Sequence, residues 1–101
     1  VGYGGNDNST TRFRRYKGEY YGVADDKVKP LLKEYTDASH LLVPNQWYEI
    51  RIRVEKGITT YSVNDEELFR YTLAGSEGDG HFGLRLLQNH VLFTDFRATI
   101  L

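Results

Sequence analysis

In WYEIRIRVEK, residues 47–56, Tyr48, Ile50, Ile52 and Val54 alternate with Glu49, Arg51, Arg53 and Glu55. A period of two is the spacing of a β-strand with one face on a core and the other in water, so this stretch predicts a strand that buries its aliphatic side. Lys56-Gly57 then turns the chain into ITTYSV, where Ile58, Tyr61 and Val63 sit among Thr and Ser of high strand propensity. Asn64-Asp65-Glu66 supplies the next turn, and ELFRYTL alternates again through Phe69, Tyr71 and Leu73. Three strands in succession predict a meander. AGSEGDG is a glycine-rich connector, after which HFGLRLL and VLFTDFRATIL read as two further strands separated by Gln88-Asn89-His90.

The first half alternates less cleanly. TTRFRRY reads as a strand, GVADDKVKP as a loop, LLKEY as a short strand and TDASHLLVPNQ as a connector containing Pro44. Leu31, Leu32, Tyr35, His40 and Leu41 roughly fit a helical face, but Thr36, Asp37 and Ser39 interrupt it with turn chemistry, so strand and connector are the preferred reading. Many short strands, with five glycines between Gly2 and Gly22, predict an all-β antiparallel sandwich.

Size and charge bound the function. A chain of 101 residues with 40% apolar content suffices for a single domain, residues 1–101. Thirteen basic residues against fourteen acidic ones leave a net charge of -1, which supplies no global field for nucleic acid or an anionic membrane. Any anion site must be local. Without cysteine there is no thiolate metal site, and His40, His81 and His90 lack the ligand spacing of a zinc centre, so no cofactor is expected. Asp25, Asp26 and Asp95 are the candidates for a structural calcium.

The order WYEIRIRVEKGITTYSVNDEELFRYT, then GHFGLRLLQNHVLFTDFRATI, resembles the closing strands of the concanavalin A-like lectin and glucanase jelly rolls. Their pattern is W-Y-x-I-x-I-x-V, a hairpin, Y-x-V-D-G-x-x-F, then G-x-F-G-L and a last strand ending near F-R. Asn64-Asp65 stands where that pattern has Asp-Gly. More narrowly, VGYGGNDNSTTRFRRY with PLLKEYTDASHLLVPNQWYEI is similar to a bacterial jelly-roll family of unassigned function in secreted polysaccharide-degradation proteins. The resemblance implies a jelly roll lacking its leading strands here and completed by them or by another chain. It also implies a carbohydrate ligand and a periplasmic or extracellular location.

RFRRYKGEYYG, residues 12–22, carries three arginines and three tyrosines. On a strand, Phe13 points to the core while Arg12, Arg14 and Tyr16 share the other face; in HFGLRLL, Phe82, Leu84 and Leu86 point inward and His81 and Arg85 outward. The resemblance puts both strands on a concave, ligand-bearing sheet, so Arg12, Arg14, Tyr16, His81 and Arg85 are expected to converge. Asn6 and Asn8, on the loop entering that strand, can bind sugar hydroxyls. Guanidinium forks match carboxylate and sulfate oxygens, and tyrosine suits the apolar face of a sugar ring, which makes acidic polysaccharide the expected ligand.

Two other functions compete. A polysaccharide lyase needs a cation, a base and an acid at a uronate, roles open to Arg14, Tyr16 and His81, with further catalytic groups outside this chain. A glycoside hydrolase needs two carboxyl groups across the scissile bond, yet Asp65, Glu66 and Glu67 fall at a turn. The remaining reading is an accessory sandwich without a ligand, in which arginines pair with Glu19, Glu49 and Glu55 on solvated faces. That reading suits Arg51 and Arg53 best, so Arg14→Ala is expected to weaken uronate binding more than Arg51→Ala. Trp47 is expected to plug the end of the sandwich rather than offer a stacking platform.

Overall fold

The computed structural model describes residues 1–15, 29–73, 82–86 and 91–99, and these form an all-β antiparallel sandwich. The first sheet holds β1 (Gly2–Gly4), β2 (Thr10–Arg14) and β3 (Leu31–Tyr35) in that order. The second holds β4 (Ile50–Glu55), β5 (Ile58–Val63) and β6 (Glu66–Thr72), the meander predicted from the alternation. Both its hairpins turn through residues with positive φ, Lys56-Gly57 and Asn64-Asp65. Asn and Asp adopt that conformation more readily than other side chains do, which suits Asn64-Asp65 to the second of these turns.

Residues 5–8, GNDN, connect β1 to β2 through one helical turn whose Asn6, Asp7 and Asn8 are left-handed. Gly4, at φ 71°, begins it; a Cβ there would lie 2.7 Å from Leu42 and 2.9 Å from the Asn8 carboxamide. Glycine is needed at this position on both counts. The Asn8 side chain donates to the Leu42 carbonyl and accepts from the Leu42 N–H, both at 2.8 Å, pinning the β3–β4 connector to the turn.

The core lies between the sheets. Leu68 and Phe69 are 2% exposed and Val63 is 6% exposed, and Tyr3, Phe13, Tyr35, Tyr48 and Tyr61 pack around them. Phe13 stacks on Phe69 with ring centroids 5.4 Å apart, as its predicted inward direction requires. The Tyr35 hydroxyl donates to the Leu68 carbonyl at 3.0 Å, so a phenol at the core satisfies backbone that would otherwise be orphaned. Burial first, then the nearby Tyr3 phenol, pushes the pKa of Tyr61 up to about 12. Adjacent residues Leu68 and Phe69 are both buried because the β5–β6 register shifts between Tyr61 and Ser62. The bulge makes room for one residue that strict alternation assigns to solvent.

Several sequence expectations are corrected. β4 begins at Ile50, not at Trp47, and its aliphatic face is open: Ile50, Ile52 and Val54 are exposed. Among the described strands β4 is the outer one of its sheet, and the residues the first sheet brings down, Phe13 and Tyr35, reach the rings of β6 rather than β4. Alternation reports which side is apolar, and a covering layer decides whether that side is buried. Among the described residues, 82–86 and 91–99 pair with no strand, and Phe82, Leu84 and Leu86 are exposed rather than inward. Phe82 and Phe96 still meet, with centroids 5.5 Å apart, so the two segments associate through side chains and not through a ladder. Trp47 is 67% exposed, too open for the end plug expected of it. TDASHLLVPNQ is a connector as expected, with a short 3₁₀ turn at Ala38–His40.

Candidate functional site

The outward residues of the second sheet are polar. Register places Arg51, Ser62 and Glu67 in one row across β4, β5 and β6, Arg53, Thr60 and Arg70 in the next, and Glu55, Ile58 and Thr72 in the third. All of these but Thr72, with Lys56 from the β4–β5 turn, line an open groove of about 500 Å³ on the face away from the core. Four cations, Arg51, Arg53, Lys56 and Arg70, stand against two carboxylates, Glu55 and Glu67, along its walls. The floor on the middle strand carries the Thr60 and Ser62 hydroxyls.

Each guanidinium is bound by a neighbouring carboxylate. Arg51 bonds Glu49 and Arg53 bonds Glu55, each at 3.1 Å, while Arg70 engages Glu67 through two hydrogen bonds of 2.7 and 3.2 Å. The Arg70 contact lowers the Glu67 pKa and correspondingly raises that of Arg70. All three pairs are in solvent, where such contacts are weak, so an incoming anion can exchange with them.

A second, smaller cleft of about 110 Å³ lies beside the core, walled by Tyr3, His40, Tyr48 and Glu66. His40 sits in the 3₁₀ turn, its ring stacked on Tyr35 with centroids 4.1 Å apart. Its Nδ1 is 2.6 Å from Asp37 and its Nε2 is 2.7 Å from Glu66 at the start of β6. Only the imidazolium can donate to both carboxylates at once. The Glu66 hydrogen bond, followed by that of Asp37, raises the His40 pKa above the ordinary 6.5 despite opposing desolvation. Hydrogen bonds from Ser39 and then His40 lower the Asp37 pKa below 3.8. The raised imidazole contributes stability fully present below 6.5 and lost as pH rises through its folded value. The depressed carboxylate contributes stability present above 3.8 and lost as pH falls through its folded value. The clasp therefore holds best between those two ordinary values. In urea titrations, the wild type is expected to lose stability from pH 6 to pH 9, and His40→Ala to cost about 1–2 kcal/mol at pH 6 and less at pH 9. Equal costs at both pH values would remove the ionic contribution.

The residues singled out from the sequence divide differently. Arg12 bonds Glu34 directly across the β2–β3 ladder, and the Arg14 guanidinium donates to the Lys29 carbonyl at 2.8 Å. Arg12 lies on the outward face of the first sheet, on the opposite side of the sandwich from the groove, because Thr11, Phe13 and Tyr35 take the inward face. Asn8 is engaged with Leu42, and the Asn6 amide reaches the Thr10 hydroxyl at 3.5 Å. Tyr16 and His81 lie outside the described residues, as do Glu19, Asp25, Asp26 and His90. Arg85 lies in the described segment 82–86, which belongs to neither described sheet. Among the described residues no group of three or more His, Cys, Asp or Glu is placed to hold a metal ion.

Arg51, Arg53 and Arg70 are the groove residues that sequence reasoning assigned to a solvated face or passed over. The signal was present: two tight hairpins fix the register, and parity then puts Arg53, Thr60 and Arg70 in one row.

No curated protein and no solved structure matches the chain. A family model described as a domain of unknown function, DUF6250, matches residues 1–96, and the chain belongs to that family.

Proposed function

We propose that this chain is a jelly-roll carbohydrate-binding domain for acidic polysaccharide, seated in the groove on the outer face of β4–β6. The observation that carries this reading is the set of three guanidiniums standing around the Thr60 and Ser62 hydroxyls in one open groove. Guanidinium forks meet carboxylates bidentately, and hydroxyls on the floor exchange hydrogen bonds with sugar hydroxyls. An open groove on a sheet admits the middle of a long polymer, which a closed pocket does not. Recognition of such a polymer fits a protein working in the periplasm or outside the cell.

Arg12 and Arg14 are less suited to the role. Arg12 is tied to Glu34 across the ladder, and Arg14 is tied to backbone. The expected ranking of variants therefore reverses: Arg70→Ala weakens binding to a polyuronate about tenfold, and Arg14→Ala changes it less than twofold. Titration calorimetry with polygalacturonate, at low and at high salt, tests this against a neutral β-glucan. Binding to the polyuronate that weakens with salt, with no binding to the glucan, is the expected result. Equal affinity for both polymers, or a larger loss in Arg14→Ala than in Arg70→Ala, would overturn the assignment.

A further inference from the structure

The second sheet has one row in which a cation stands on each outer strand. Arg53 on β4 and Arg70 on β6 flank Thr60 on β5, whereas the neighbouring rows pair Arg51 with Glu67 and Glu55 with Thr72. Adjacent strands lie ~4.8 Å apart, so the two arginine Cα atoms are separated by ~10 Å across the row. That span is comparable to a disaccharide repeat in an extended 1,4-linked chain with two-fold character, in which every second sugar presents its carboxylate on the same side.

We propose that the row Arg53–Thr60–Arg70 clamps a 1,4-linked polyuronate lying across the strands, with the carboxylates of sugars n and n+2 on the two arginines and sugar n+1 over Thr60. The proposal rests on the acidic-polysaccharide reading above and adds direction and spacing to it.

Charge selects this direction over the other. A chain laid along β4 would pass Glu49, Arg51, Arg53 and Glu55 in turn, meeting a carboxylate at each end of the cationic pair. Across the row, the outward positions are Arg, Thr and Arg, with no carboxylate among them. Glu55 and Glu67 lie on the rows to either side, so their bonds draw the Arg53 and Arg70 guanidiniums to opposite sides of the row until uronates replace the carboxylates and bring both onto it. Because those pairs are exposed, the exchange costs little. The Thr60 hydroxyl, able both to donate and to accept, suits a sugar hydroxyl on the middle residue.

The test is a length series of 1,4-linked oligogalacturonates, from one to four sugars, titrated calorimetrically against the whole chain and against Arg53→Gln, Arg70→Gln and Arg51→Gln. These side chains stand in solvent, so the variants are expected to keep the wild-type circular dichroism spectrum. A rise in affinity of about tenfold between two and three sugars is expected, abolished in Arg53→Gln and in Arg70→Gln and retained in Arg51→Gln. A smooth rise with length that all three variants share would overturn the clamp while leaving acidic-polysaccharide binding intact. Absence of binding to the oligomers and to polygalacturonate alike would overturn the functional reading and the clamp together. A sulfated oligomer of the same backbone matching the uronate would overturn the choice of carboxylate.

Discussion

Phe69→Ala is expected to lower the free energy of unfolding by about 3–5 kcal/mol, a large part of the 5–15 kcal/mol that holds a domain of this size. Phe69 is 2% exposed and is the ring around which the two sheets meet. Phe13 and Tyr35 reach it from the first sheet and Tyr61 from its own, with centroids 5.4, 5.6 and 5.9 Å away. Truncation removes its own burial and leaves three aromatic neighbours facing a void that short, ladder-bound strands cannot collapse to fill. Ile52→Ala is the natural comparison, because it removes an aliphatic side chain from the same sheet at 45% exposure. Its cost should stay under about 1 kcal/mol, since little apolar area returns to water. Urea unfolding followed by aromatic fluorescence would measure both, and similar costs for the two variants would show that the β4 face is covered in solution.

Thr11→Val comes next, with an expected cost of about 2–4 kcal/mol from a change of one hydroxyl to a methyl. Thr11 is fully buried, and its hydroxyl donates to the His40 carbonyl at 2.5 Å and accepts from the Gly4 N–H at 3.2 Å. Valine keeps the shape and strands both backbone groups without partners. Through this hydroxyl the β1–β2 hairpin is tied to the 3₁₀ turn whose imidazole in turn reaches β6, so its loss loosens a link between the sheets. Thr11→Ser, which retains the hydroxyl, should recover most of the stability. Amide exchange at Gly4 should accelerate in the valine variant and remain slow in the serine variant; unchanged exchange in both would mean that the hydroxyl is not the lock.

Both effects depend on placements that strand patterns report unequally. The meander β4–β6 was legible because tight turns at Lys56-Gly57 and Asn64-Asp65 leave few registers open, and period-two alternation fixes the faces. The inward direction of Phe13 followed from the same rule. Leu68 was not legible, because it owes its burial to a register shift that no local pattern announces. Nor was the exposure of Ile50, Ile52 and Val54, which depends on how far a separate sheet extends. Residues 82–86 and 91–99 alternate as strands do but form no ladder among the described residues, because a ladder requires a partner edge as well as a pattern.

The groove shows the same division. Sequence alone made Arg51 and Arg53 outward residues of one strand, and hence a solvated pair balanced by Glu49 and Glu55. The structure adds Arg70 from the third strand and the hydroxyls of the middle one, turning separate ion pairs into a lined groove. Composition and alternation determined that the chain is all-β and antiparallel, with one polar and one apolar side to each strand of the meander, because those properties belong to single strands and their turns. Tertiary structure decided which apolar side is covered, which hydroxyl and imidazole tie the sheets, and which arginines stand opposite each other. Those outcomes depend on the pairing of residues distant in the chain, which no period along it encodes.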